Sequence, residues 1–249
     1  MDAFRNIRAV LFDIGGTLLD FHQPETLAQL SDGINAAYEH LDQAGAQLPS
    51  LRRYSAVLRR RALLALVAAR LKRREPDTMR LLAAAHARLG ISLDEAALHA
   101  LGRVVYSPTK ALAHAHPRTR AALLTLRDRG FRLGIISNTV APPPGLDEHL
   151  ADEGLLDLFP IRVYSCVFGV PKPDPRIFAA AVAQLAAAPG ETLYVGDKPA
   201  IDVRGACRAG LRSVLRAGPG APDPGRDTPD ATVGELYELV DLLPEKPPS

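Results

Sequence analysis

The chain has 249 residues, 47% hydrophobic and 23% charged, which is globular material long enough for one large domain or two modest ones. A net charge of +2 makes a nucleic-acid partner unlikely, and no stretch approaches the roughly 20 apolar residues of a membrane span. Cys166 and Cys207 stand far apart with no metal-ligand spacing, and the early Asp2 leaves no room for a signal peptide, so the expected location is cytoplasmic.

Residues 8–12 form a short apolar run that suits a strand buried on both faces. Asp13-Ile14-Gly15-Gly16-Thr17 ends it, and the adjacent glycines predict a tight loop. Residues 24–106 carry apolar side chains at three- and four-residue spacing and read as helices, broken at 45–49, Pro76 and Gly90. The tract 52–74 holds nine basic residues and no acid, and reads as a solvated helix face. Its apolar stripe runs through Tyr54, Val57, Leu58, Leu64, Val67 and Leu71. Arg61 falls on that stripe: a snorkelling charge on the bland reading, or a cation reaching for an anionic substrate. His86 keeps register with Met79, Leu82 and Leu89 and reads as a core histidine. Ser107-Pro108 and His116-Pro117 predict a hinge.

Beyond Pro117 the texture changes to alternating helix and strand. Helices are predicted over 118–129, 146–153, 174–187, 200–209 and 233–243, with strands over 131–136, 162–166, 192–195 and 213–215. The stretch 216–232 reads as a loop, and the Pro-rich end as frayed. Alternation of this kind implies an α/β domain with a parallel sheet. An all-helical insertion interrupts it directly after the first strand.

Open parallel sheets bind ligands at the carboxyl ends of their strands. The residues expected there are Asp13, Ser137-Asn138, Lys172, Asp197 and, five positions on, Asp202. Such a set suits phosphoryl transfer: a carboxylate can attack phosphorus, a hard cation bridges the anions, and a lysine and a hydroxyl offset charge on the equatorial oxygens.

The sequence resembles the haloacid dehalogenase superfamily of hydrolases over about residues 7–215. Four motifs carry the resemblance: Phe12-Asp13-Ile14-Gly15-Gly16-Thr17, Ile136-Ser137-Asn138, Lys172 between Pro171 and Pro173, and Val195-Gly196-Asp197 with Asp202. It implies a Rossmann-like core of residues 1–17 and 111–249 and a C1-type helical cap of residues 18–110. It implies a Mg2+-dependent phosphomonoester hydrolase acting on a small phosphorylated metabolite. Asp13 would be nucleophile and metal ligand. Asp197 would also hold the metal, with Asp202 as a further ligand or a support for Lys172. Ser137 and Lys172 would bind the phosphoryl group, and Asn138 and Arg61 are candidate substrate contacts.

Gly15 departs from the pattern. Phosphatases of the family carry an Asp there as general acid and base, whereas Gly15 can supply only a carbonyl to the metal. Slow turnover, a good leaving group or a donor from elsewhere are the alternatives. Dehalogenases and phosphonatases also lack that Asp, and a phosphonatase would use a cap lysine, of which Lys72 is the candidate. A catalytically impaired binding protein is the third reading, and the oligomeric state is not encoded in any visible pattern.

Overall fold

In the computed structural model, a 3-10 turn at Asp2–Phe4 leads into β1 (Ala9–Phe12) and then β2 (Asp20–Phe21). Four helices follow: α1 (Leu27–Gln43), α2 (Leu51–Lys72), α3 (Thr78–Arg88) and α4 (Glu95–Lys110). β3 (Ala113–His114) returns antiparallel to β2, so the strands entering and leaving the helical segment are zipped together at its base. Next come α5 (Thr119–Asp128), β4 (Arg132–Ser137), α6 (Pro143–Asp152), β5 (Ile161–Tyr164), α7 (Ser165–Phe168) and α8 (Pro175–Gln184). β6 (Thr192–Gly196) leads through a π turn at Pro199–Val203 into α9 (Arg204–Arg208). β7 (Arg212–Arg216), β8 (Ala231–Val233) and α10 (Leu239–Leu242) close the chain. The structure describes residues 2–21, 27–72, 74–218 and 225–245. Residues 22–26 of the expected cap, Arg73 of the basic tract, part of the expected loop (219–224) and the end of the Pro-rich tail (246–249) lie outside them.

The six-stranded sheet has the order β5-β4-β1-β6-β7-β8, and every pair is parallel. Alternation along β1 sends Val10 and Phe12 to one face and Ala9 and Leu11 to the other. Phe12 packs with Leu123, Ile135 and Val195, while Leu11 packs with Ile177, Phe178 and Tyr194. Each such large side chain contributes roughly 1.5–3 kcal/mol by leaving water. The result is the expected Rossmann-like core with an inserted all-helical cap. Among the described residues no helix is long and apolar enough to cross a membrane.

The cap has its own core of Ile34, Ala37, Leu41, Tyr54, Leu58, Ala85, Ile91 and Leu101. His86 is fully buried beside it, as its register predicts. Its Nδ1 lies 2.7 Å from the Leu82 carbonyl, so that nitrogen carries the proton and donates. Nε2 is therefore the acceptor for the Tyr54 hydroxyl at 2.8 Å. Burial lowers the His86 pKa and keeps the ring neutral.

Four local expectations change. The apolar stripe of α2 is buried only at Tyr54 and Leu58, while Leu64, Val67 and Leu71 are exposed, because α3 spans 11 residues against 22 for α2. Ser107-Pro108 does not break α4. Proline frees the Val104 carbonyl one turn back, and the Ser107 hydroxyl donates to that carbonyl at 2.9 Å. Within the expected loop 216–232 a short edge strand, β8, pairs with β7. The expected final helix is a 3-10 turn at Leu236–Glu238 followed by one turn of α10.

The Tyr54→Phe variant leaves the His86 Nε2 lone pair buried without a donor. It should cost about 1–3 kcal/mol, read as a lower denaturation midpoint, while leaving the helix content of the fold unchanged.

Candidate active site

β1 is central, with β4 and β6 on either side, so the residues that end these three strands meet at one rim. Asp13 follows β1 and donates its backbone N–H to the Val195 carbonyl of β6 at 2.9 Å. Ser137 is the last residue of β4 and is buried. Asp197 follows β6, and Asp202 sits in the π turn behind it. The carboxylates of Asp13, Asp197 and Asp202 lie within 4.8 Å of one another.

Two glycines make this proximity possible. Gly16 has φ +76°, and a Cβ there would stand 2.4 Å from Asp197 Oδ2. A Cβ on Gly196 would stand 2.4 Å from the Asp202 carboxyl carbon.

Lys172, between α7 and α8, lies at the centre of the cluster and is 3% exposed. Its Nζ lies 2.9 Å from Asp13 Oδ1 and donates to Asp202 Oδ1 at 2.7 Å and to the Tyr194 hydroxyl at 2.6 Å. Those three partners account for all three ammonium protons. The remaining Asp202 oxygen accepts from the Lys198 N–H at 2.9 Å. Asn138 clasps the lysine from behind: its amide donates to the Lys172 carbonyl at 2.9 Å, and its oxygen accepts the Lys172 N–H at 2.7 Å. That carboxamide therefore braces the Lys172 backbone, while Asn138 also lines the cleft. Tyr194 reads in the sequence as an ordinary strand aromatic, and only its buried hydroxyl reveals a polar task.

The electrostatics follow from burial. Desolvation raises the Asp13 pKa, opposed by the Lys172 ammonium and reinforced by Asp202. Burial works against the charge on Lys172, but Asp13 and Asp202 outweigh it and hold its pKa above the ordinary value. Asp197 is raised to about 6, first by desolvation, with Lys198 opposing and the other two carboxylates adding. Its Oδ1 is buried with no hydrogen-bond partner among the described residues. An orphaned carboxylate oxygen beside two further carboxylates, all hard donors, fits a divalent cation such as Mg2+.

Above this floor opens a cleft of about 490 Å3, lined by Gly15, Gly16, Ser137, Asn138, Asp197 and Lys198 below and by Phe21, Tyr106, Ala141 and Leu146 on its walls. Tyr106 comes from α4 and joins cap to core. Its hydroxyl donates to His149 Nδ1 at 3.1 Å, since His149 Nε2 donates to the Ala113 carbonyl at 2.9 Å. Gly15 faces Phe21, whose ring edge lies 3.4 Å from where a Cβ would stand.

Arg61 is not brought to this cleft. It lines a separate groove of about 890 Å3 between α2 and α3, with Arg53, Arg60 and Arg88. α2 turns its buried side, Tyr54 and Leu58, towards the cap core, and Arg61 stays beside the groove. Lys72 is exposed at the far end of the same helix.

Comparison with known proteins agrees with the geometry. The family model described as haloacid dehalogenase-like hydrolase matches residues 7–210. A phosphoserine phosphatase of Thermus thermophilus is 38% identical over 124 residues, 50% of this chain and 49% of that protein. A glyceraldehyde 3-phosphate phosphatase of Methanopyrus kandleri is 36% identical over 156 residues, 61% of this chain and 66% of that protein. The matches thus span about half to two thirds of these relatives. Among solved structures, a 2-haloacid dehalogenase of Pseudomonas syringae superposes with a TM-score of 0.63 at 24% identity, covering 95% of this chain and 97% of that one.

Because the folded pKa of Asp197 lies above its ordinary carboxylate value, the metal-free protein loses stability as pH rises from about 4 through about 6. A cation relieves that cost only once the group is ionised. Millimolar Mg2+ should therefore raise the melting temperature more at pH 7.5 than at pH 5. Asp197→Asn should raise the metal-free melting temperature at pH 7.5 and remove most of the Mg2+ response. Equal Mg2+ shifts at both pH values would contradict this assignment.

Proposed function

Because the chain belongs to the haloacid dehalogenase-like hydrolases, we propose that it is a Mg2+-dependent phosphomonoester hydrolase acting through an aspartyl-phosphate on Asp13. The observation that carries the proposal is the three-carboxylate cluster gathered around one buried ammonium at the foot of a cleft. Asp13, Asp197, Asp202 and the Gly15 carbonyl would hold the metal. When bound, Mg2+ supplies the positive charge that lets a dianionic phosphoryl group come up to these carboxylates. The names of the two curated relatives, both phosphatases of small metabolites, support the same reaction class.

In this reading Asp13 attacks phosphorus as the bond to the leaving oxygen breaks, and the electron pair departs with that oxygen. Lys172 fixes the attacking carboxylate, and Ser137 donates to a phosphoryl oxygen from the end of β4. Asp202 and Tyr194 hold the lysine in place. Water then attacks the phosphorus and frees the Asp13 carboxylate. Residues 18–110 act as the cap that covers the cleft and excludes bulk water. Gly15 offers no proton to the leaving group, and a placed acid or base is typically worth about 10²–10⁴-fold, so turnover is slow.

Inorganic phosphate release from a panel of small phosphorylated metabolites tests the proposal. Release should require Mg2+, stop with EDTA and disappear in Asp13→Asn, with the variant's melting temperature checked as evidence of folding. Release that persists in EDTA, or in Asp13→Asn, would rule the mechanism out.

A further inference from the structure

The cleft itself carries information about what leaves. Of the described residues lining it, the charged ones are Asp20, Asp197 and Lys198. Asp20 is held by Arg216, whose Nη2 donates to its Oδ2 at 3.0 Å. Lys198 Nζ stands 3.7 Å from Asp197. Asp20 is thus spent on Arg216, and among the described lining residues the one cation that could meet a carboxylate on the leaving group, Lys198, already stands beside Asp197. Beside the polar Asp20 and Thr139, the described lining brings Phe21, Tyr106, Ala141 and Leu146, so the leaving part meets two aromatic rings and aliphatic surface. At Gly15, the flank from which a proton would come, the neighbour among the described residues is the Phe21 ring edge, 3.4 Å from where a Cβ would stand.

From these three observations we infer that the substrates are phosphate esters of acidic, uncharged, flat hydroxyl compounds, with aryl phosphates as the type. The inference rests on the phosphatase reading and narrows it. An alkoxide needs a proton as it departs, whereas a phenoxide is stable enough to leave with the electron pair alone. The balance is complete without a general acid. The Asp13 oxygen–phosphorus bond forms, the phosphorus–aryl oxygen bond breaks, and the aryloxide takes its proton from solvent after release. Water then cleaves the phosphorus–Asp13 bond, leaving inorganic phosphate and a free carboxylate. Phe21 and Tyr106 suit a ring both by apolar contact and by edge-to-face geometry. The expected preference is therefore opposite to that of an enzyme reading phosphoserine by its carboxylate.

A series of ring-substituted phenyl phosphates tests this, from nitrophenyl up to unsubstituted phenyl, whose phenol resembles a tyrosine of pKa about 10. Glycerol phosphate and phosphoserine complete the panel. With Mg2+, kcat/KM should fall steeply as the leaving group becomes less acidic, and phosphoserine should rank last. Gly15→Asp restores a carboxyl beside the leaving oxygen. It should raise the alkyl phosphates by up to about 10²–10⁴-fold and the nitrophenyl ester by much less, flattening the slope. A flat wild-type series, or phosphoserine equal to the aryl esters, would overturn the inference while leaving the phosphatase reading intact. Loss of all Mg2+-dependent release, in wild type and on every ester, would overturn the phosphatase reading itself. The wild-type series decides the question even if the Gly15→Asp protein does not fold.

Discussion

The site depends on one constraint: three carboxylates crowd one rim, two of them buried around a single buried ammonium and the third, Asp197, facing the cleft beside the exposed Lys198. An ion taken from water into a protein interior costs several kcal/mol unless partners replace its hydration. Lys172 answers that cost for Asp13 and Asp202, to which it is bonded directly, and the Tyr194 hydroxyl takes its third proton. Asp197 is left over. Its buried Oδ1 lacks a partner among the described residues, and desolvation first, with the two neighbouring carboxylates adding, pushes its pKa up to about 6. The arrangement has the charge and the hard donors of a candidate divalent-cation site.

The rest of the fold can be understood as the means of holding that cluster in place. Placing β1 at the centre of the sheet brings Asp13 between the ends of β4 and β6. Glycine at 16 and 196 lets backbone approach where any side chain would collide with Asp197 or Asp202. Asn138 then grips the peptide of Lys172 across a gap of 34 residues in sequence. The antiparallel β2–β3 pair closes the stem of the cap and sets Phe21 beside Gly15, while the Tyr106–His149 bond ties α4 to α6. The cap is thus joined to the site through the same residues that form its walls.

Much of this was legible from the amino-acid order, for identifiable reasons. Buried parallel strands are short uniform apolar runs, so Asp13, Ser137 and Asp197 could be placed at strand ends by pattern alone. Lys172 stood out because a lone lysine between prolines has little reason to be there otherwise. What escaped notice was set by tertiary contact. Tyr194 has the alternation of a core aromatic, and nothing local tells that its hydroxyl meets an ammonium. β2, β3 and β8 are two or three residues long, too short for any period to register. Arg61 shares the face of an apolar stripe, but the stripe is buried only along the first part of α2, and the arginine lines a different groove.

Likeness of fold does not choose among the chemistries this scaffold supports. A solved dehalogenase superposes as a whole, at an identity that speaks only for shape. The choice lies in charge. Displacing halide from carbon needs one carboxylate nucleophile and a cradle for an anion, and a second and third carboxylate beside it would repel both substrate and product. A phosphonatase needs an amine able to reach the substrate, whereas Lys72 is exposed at the end of α2. Phosphoryl transfer through a divalent cation is the chemistry for which the extra carboxylates have a use, because an ion held there would turn an anionic floor into one that accepts a dianion. Gly15 leaves that electrostatic machinery untouched and removes the acid and base that an Asp there would supply. On the proposed phosphatase reading, the missing carboxyl costs command of the leaving group, and the aromatic and aliphatic part of the cleft lining would fit a leaving group that does not need it.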